Sequence, residues 1–280
     1  MKIAITGAAG LFGHGLVQIF STRHEVFPLT HRDPDITRGD DVRTALKRIR
    51  PEVVVHPAGI PDIDLCESDP AKAFLVNFHG TRHVVEAARG IGAAVAFIST
   101  DAVFDGKKQT PYMESDTPRP PTVYGRTKLR AEQFVLGTPN HFAFRVSALF
   151  GPGKTNFVEK VLQKIRAGED VTVASDQLGS ATYTLDAAHK IMEVLEGRCP
   201  GLYHLSNLGA CSRLELAQCA AELAGLDLRK VIGKPSDQMG RRAPRLKYAV
   251  MEMAALAQAG FAPPRPWQPA LAEYIRTLPS

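Results

Sequence analysis

A glycine-rich turn between a short apolar strand and an amphipathic helix, at the very start of the chain, constrains its fold more than any other feature. Lys2-Ile3-Ala4-Ile5-Thr6 has the composition of a strand and residues 13–22 the spacing of a helix, with Gly7-Ala8-Ala9-Gly10-Leu11-Phe12-Gly13 joining them. In that place backbone amides and the positive end of a helix can hold a pyrophosphate. Gly7 permits the tight turn, Gly10 a close backbone approach and Gly13 close packing of helix on strand, while Leu11 and Phe12 complete the loop. The competing reading is a turn without a ligand.

The alternation then continues. Strands are expected at 25–30, 53–56, 94–98 and 142–146, and helices at 41–50, 70–91 and 124–135. This rhythm predicts an α/β chain built on a Rossmann-type doubly wound parallel sheet with helices on both faces. Beyond Gly151 the rhythm loosens, with helices expected at 156–167, 185–196 and 213–224 and strands at 170–173 and 201–205. Residues 1–150 are therefore expected to be mainly a dinucleotide-binding domain to which 170–195 returns, and 151–280 mainly a smaller substrate-binding α/β part. The proline-rich run 262–269 is a rigid turn feeding a last helix.

Composition narrows the partners. A chain of 280 residues, 44% hydrophobic and 22% charged, fits a soluble globular protein. Its formal charge of +5 is spread without a basic block or a stacking run of aromatics, which speaks against nucleic acid and for an ordinary basic surface or an anionic small molecule. Cys66, Cys199, Cys211 and Cys219 lack metal-ligand spacing and read as reduced core thiols, so no metal is expected. The chain opens directly as a strand and no segment reaches the length of a membrane span, so a cytoplasmic location without a membrane partner is expected.

A second cofactor contact should follow the second strand, where the sequence is Thr30-His31-Arg32-Asp33. Arg32 suits the 2′-phosphate of NADP, whereas Asp33 would suit the ribose hydroxyls of NAD. NADP is favoured and NAD stays open; for Arg32 the plain alternative is a surface charge.

The strand ending Ser99-Thr100-Asp101 brings hydroxyls to the ligand-binding edge of such a sheet, and Tyr124 and Lys128 follow, four apart on one helix face. Chance alone can place a Tyr and a Lys at that spacing, so the pair gains meaning from its context. Tyr124 would donate a proton to a carbonyl oxygen as a nicotinamide delivers hydride to the carbon. Lys128 would lower the phenol pKa and hold the nicotinamide ribose, and Thr100 would orient the carbonyl oxygen.

The loop Thr6 to Gly13, Asn77-Phe78-His79-Gly80-Thr81, Ser99-Thr100-Asp101 and Tyr124-Gly125-Arg126-Thr127-Lys128 together resemble the extended short-chain dehydrogenase/reductase superfamily. Within it, Arg50-Pro51-Glu52-Val53-Val54-Val55-His56, Thr122-Val123-Tyr124-Gly125, Asn156-Phe157 and Asp176-Gln177-Leu178-Gly179 are similar to the dTDP-4-dehydrorhamnose reductase family. That resemblance implies cofactor contacts at Asp35, Ile36, Ala58, Gly59, Ile60 and Asn77, and substrate contacts at Thr100, Asp101, Asn156, Gln177, Arg242 and Arg245. Asn77 also reads as a tie between helix and sheet, and either arginine as a surface charge.

Three positions depart from the family. Ala148 stands where a Trp is usual, Gly15 where some members carry an acid for a magnesium-linked dimer, and Ala249 where a Ser is usual. The implied function is NADPH-dependent reduction of the 4-keto group of a nucleotide-linked 6-deoxysugar, by a protein that can form a homodimer. The alternatives are a nucleotide-sugar epimerase and a non-catalytic NADP-binding protein resembling the regulatory subunit of methionine adenosyltransferase. A 4,6-dehydratase is disfavoured because Ala102, not Glu, follows Asp101.

Overall fold

Alternating side-chain direction along short strands decides how this chain is layered. The computed structural model describes residues 1–31 and 33–279; Arg32, expected at the 2′-phosphate, lies outside the described residues. Six strands, β1 (Lys2–Ile5), β2 (Glu25–Pro28), β3 (Val53–His56), β4 (Ala94–Thr100), β5 (Phe142–Val146) and β6 (Gly201–His204), form one sheet in the order β6-β5-β4-β3-β1-β2. Every pairing in it is parallel. The helices against it are α1 (Leu11–Phe20), α2 (Gly39–Ile49), α3 (Gly80–Arg89), α4 (Val123–Leu136) and α5 (Thr184–Glu196).

Ile3, Ile5, Val55, Ile98 and Phe144 turn to one face and share a core with α1 and α5. Their neighbours Ala4, Val54, Val95, Phe97 and Ala143 turn to the other, against α2, α3 and α4. Both faces are covered, so the strands read as apolar runs rather than as an apolar and polar alternation. Chain direction across the sheet reverses between β1 and β3, and the loops that leave these two strands flank the resulting crevice. They touch: a Cβ on Gly7, whose φ is +58°, would lie 2.8 Å from Ala58 Cα.

The helix expected at 70–91 is interrupted. It comprises Pro70–Phe74, a single π-helical turn at Leu75–His79, and α3. The run Leu75-Val76-Asn77-Phe78-His79 carries no residue that marks a π turn, so the sequence pattern reads as one helix there; such turns are frequent at functional sites.

Beyond β5 a second core gathers Phe150, Tyr183, Trp267 and Tyr274 beneath the helices Phe157–Arg166, Arg213–Leu223 and Trp267–Arg276. A three-stranded sheet places Leu178–Ser180 between Ala210–Ser212 and Tyr248–Ala249, and Val171–Ala174 pairs with Val231–Lys234. Strands of two or three residues carry no readable period, and these short ones escaped the sequence reading. Helix α5 belongs to the first core rather than the second. Cys66 and Cys211 are buried, whereas Cys199 and Cys219 are only half-buried, so two of the four expected core thiols lie at the core's edge. Among the described residues no helix is long and apolar enough to cross a membrane.

Candidate active site

Helix α1 begins with Gly10 as its N-cap, without a side-chain cap and without an acid in its first turn. Its leading amides are therefore not claimed by a carboxylate or hydroxyl of the chain, and the positive helix end stays uncompensated. The loop folds on itself through Gly10 N donating to Gly7 O at 2.9 Å. Gly13 packs so closely that a Cβ there would clash with the Gly7 carbonyl. This glycine-lined cradle fits a pyrophosphate.

Beyond β2 the Asp35 carboxylate accepts from Thr37 N at 2.9 Å and Thr37 Oγ1 at 2.8 Å, bonds that hold its carboxyl below the usual range. Ile36 packs on Gly80, and its carbonyl lies 3.0 Å from His83 Nδ1.

Asn77 sits in the π turn and uses its amide fully. Its Oδ1 accepts from Ile60 N at 2.7 Å, and its Nδ2 donates to Ile60 O at 3.2 Å and to Thr127 Oγ1 at 3.1 Å. Thr127 lies between Tyr124 and Lys128, so Asn77 fastens the loop Ala58-Gly59-Ile60 to the reacting helix. The tie read for Asn77 is present, but it joins helix to loop rather than helix to sheet.

Thr122 caps α4 by accepting from Gly125 N at 3.1 Å, and Glu67 accepts from Val123 N at 3.0 Å. A Cβ at Gly125 would clash with the Ala102 carbonyl, so glycine lets α4 press on the turn after β4. That approach brings Tyr124 against Thr100. The Thr100 contact favours the phenolate, but burial outweighs it and raises the phenol pKa, with the charge of Asp101 acting the same way. The phenol pKa is thus raised rather than lowered as expected. Lys128 Nζ donates to Ile98 O at 2.6 Å over the Phe97 ring, and burial pushes the lysine's own pKa down to about 7 against the opposing pull of Glu132. His56, in the same buried layer, bonds Thr6 Oγ1 at 2.6 Å and Thr81 Oγ1 at 3.1 Å. Burial and then Lys128 push it to about 3, so it stays neutral.

One turn beyond Lys128 lies Glu132, buried with Arg145 of β5. Arg145 donates through Nε at 3.0 Å and through a terminal nitrogen at 2.6 Å, and Ser99 Oγ donates to the same carboxylate at 2.6 Å. Strand register sets Ser99, Arg145 and His204 side by side across β4, β5 and β6. His204 is pushed to about 3 by burial and by Arg145.

On the substrate side, Asp101 accepts from Ser147 Oγ at 2.5 Å and from Thr100 Oγ1 at 3.0 Å; burial raises its pKa despite both bonds. Ala148 follows Ser147 with φ at +40°, a conformation L residues seldom adopt. Asn156 is not brought to the pocket as a substrate contact. Its Oδ1 caps the helix Phe157–Arg166, and its Nδ2, with two hydrogens to give, lies within hydrogen-bond distance of Gly151 O, Glu159 Oε1 and Tyr274 Oη, so both hydrogens have acceptors within the protein. Arg245 is paired with Asp64 at 2.7 Å, and Arg242 is exposed. Gln177 is buried with its Nε2 unpartnered.

The sequence reading passed over Arg213. It opens its helix with its N–H on Gln177 O at 3.2 Å and its guanidinium 5.1 Å from the Phe157 ring centre. Burial lowers its pKa, Asp101 raises it, and Arg241 and Arg245 add further lowering, so these charges share one region. Ser147, Asp64 and Arg213 join the site through long-range contacts that no local pattern encodes. Glu132 did carry a signal, because its spacing of four from Lys128 puts both on one helix face.

The chain matches the family model of the RmlD substrate binding domain over residues 1–279. It is 36% identical to the spore coat polysaccharide biosynthesis protein SpsK of Bacillus subtilis, covering 98% of this chain and 97% of that protein. It is 37% identical to a dTDP-4-dehydrorhamnose reductase of Streptomyces griseus, over 98% of this chain and 93% of that one. The dTDP-4-dehydrorhamnose reductase of Bacillus anthracis, solved in complex with NADP, superposes with a TM-score of 0.95 at 31% identity, covering 99% of this chain and 100% of that one. With the glycine cradle and the Thr100, Tyr124 and Lys128 cluster, these matches place the chain in the RmlD family, among the dTDP-4-dehydrorhamnose reductases and their relatives.

Proposed function

We propose that this protein is an NADPH-dependent reductase of the 4-keto group of a dTDP-linked 6-deoxysugar, with dTDP-4-dehydrorhamnose as its first candidate substrate. The observation that carries this reading is the meeting of Thr100, Tyr124 and Lys128 at the carboxyl end of β4, beside a glycine cradle suited to a dinucleotide. When bound, NADPH supplies the hydride. Gly7, Gly10, Leu11, Phe12 and Gly13 hold its pyrophosphate, with Asp35, Ile36 and Ala58 to Ile60 along the rest of the crevice.

The remaining chemistry belongs to the protein. Tyr124 holds its proton at neutral pH, as an ordinary phenol does and the more so with its pKa raised, so the proton is there to pass to the carbonyl oxygen. Thr100 turns its hydroxyl from Asp101 to the same oxygen, and Ser147 keeps the Asp101 carboxyl bonded meanwhile. Lys128 has donors to spare beyond the one on Ile98 O, and its charge stabilises the phenolate left after proton transfer.

Arg213 and Arg241 have no carboxylate within ion-pair distance among the described residues, unlike Arg245. They are the arginines for the substrate diphosphate, and Gln177 offers an additional donor. Arg213→Gln should raise KM for the nucleotide sugar roughly 10- to 100-fold, the range of a lost charge-assisted bond, with KM for NADPH unchanged. Equal effects on both would place Arg213 elsewhere.

The function is tested by following NADPH consumption with a panel of 4-keto nucleotide sugars. Turnover with dTDP-4-dehydrorhamnose, stoichiometric in NADPH, is the expected result. No turnover across the panel, with NADPH still bound, would overturn the reductase reading in favour of a binding role.

A further inference from the structure

The helix face that carries the reaction runs on past its reacting residues. Tyr124, Lys128 and Glu132 follow at intervals of four, and successive residues of β4 receive them: Thr100 meets Tyr124, the Ile98 carbonyl takes Lys128, and Ser99 Oγ bonds Glu132 at 2.6 Å. Glu132 is in turn gripped at both oxygens by Arg145, and this pair is nearly inaccessible, at 3% and 2% side-chain exposure. A bare ion pair in a core is a weak source of stability, since removing both charges from water offsets most of their attraction. Its place directly behind Lys128 gives it another use.

We infer that Glu132 is a positioning residue for the reductase reaction: it keeps the Lys128 ammonium charged while Tyr124 gives up its proton, and Arg145 keeps Glu132 ionised and fixed. The inference rests on the reductase reading above. Among the described residues, few groups face Lys128. On its own helix they are Tyr124 and Glu132; from β4 come the Ile98 carbonyl and the Phe97 ring, 4.0 Å away; from β3 comes His56, which is neutral. Glu132 is thus the one anion among them. Burial alone drives Lys128 toward the uncharged amine, and Glu132 opposes it. With the ammonium discharged, the phenolate formed at Tyr124 would stand in a buried site without a countercharge.

The sign of the effect follows. Lys128 is charged below its pKa, so kcat should fall as pH rises through that value, near 7, far below the range of an ordinary lysine. In Glu132→Gln that fall should move to lower pH by about one unit or more, because a carboxylate one helical turn away is lost. KM for the nucleotide sugar should change little.

The Lys128 side chain can also be titrated directly by NMR of lysine-labelled protein without substrate, a readout that does not depend on the reductase reading. Its midpoint should drop in Glu132→Gln. Because that variant leaves Arg145 buried without its partner, the double variant Glu132→Leu with Arg145→Met provides a second background of similar volume, in which a smaller drop is expected because the guanidinium leaves with the carboxylate. A third variant, Lys128→Arg with Glu132→Gln, carries a permanent charge and should lose the alkaline fall. If Lys128 titrates at its wild-type midpoint in either background that lacks Glu132, the inference is overturned and the pair is structural. If the NMR midpoint shifts but no sugar is turned over, the electrostatic role stands and the reductase reading falls.

Discussion

Tyr124→Phe should bind NADPH as the parent does and lose roughly 10²- to 10⁴-fold in kcat, the usual contribution of a positioned general acid. The substitution removes one oxygen and keeps the ring, which packs against Val123, Cys66 and Ile60 in a small apolar cluster. Thermal stability should therefore be preserved, and a loss of activity cannot be blamed on a disturbed fold. The neighbours of the phenol make the test sharp. Thr100 already donates to Asp101, and among the described residues Asp101 is the only other titratable group bonded to Thr100 or Tyr124; burial raises its pKa. If Asp101 could pass a proton through Thr100, the variant would retain much of its rate and that rate would fall with rising pH. Undiminished turnover would remove Tyr124 from the mechanism.

The legibility of this protein in its sequence divides along physical lines. The parallel sheet announced itself because each strand is a continuous apolar run closed by a helix period, and a glycine loop at the first crossing fixed where the crevice lies. That Thr100, Tyr124 and Lys128 would meet was legible for the same reason, since a strand end and a helix face are local patterns. Asn77 showed the limit. Its type and position suggested a cofactor contact or a tie, and only the π turn, which no residue type marks, turned its amide onto Ile60 and Thr127.

The substrate side was read least well, because strands of two or three residues bring remote segments together there. Asn156 looked like a ligand contact and is a helix cap, while Arg245 looked like a phosphate contact and is paired with Asp64. Arg213, which no local motif marks, shares the region with Arg245. Ala148 and Ala249 remain where the family has larger or more polar side chains. Ala249 is buried in the short strand beside Gly179, whereas Ala148 sits half-exposed in a left-handed conformation after Ser147.

Arg145→Met should destabilise the fold by about 3–5 kcal/mol, the range for removing one member of a buried ion pair. The loss comes less from the bonds deleted than from what remains: a Glu132 carboxylate at 3% side-chain exposure with only Ser99 Oγ as a hydrogen-bond donor. The guanidinium also stacks 4.9 Å from the Phe104 ring centre and contacts His204 Nε2 at 3.3 Å, so β4, β5 and β6 all lose a shared anchor near the reacting edge of the sheet. Replacing both partners, Glu132→Leu with Arg145→Met, should recover most of that stability, since no uncompensated charge is left and the volumes are kept. Urea unfolding of the two variants measures the difference. If the double variant is as unstable as Arg145→Met, the pair holds the fold together in its own right; if it is restored while the alkaline fall in kcat moves to lower pH, stability and protonation of Lys128 are separate tasks carried by the same two side chains.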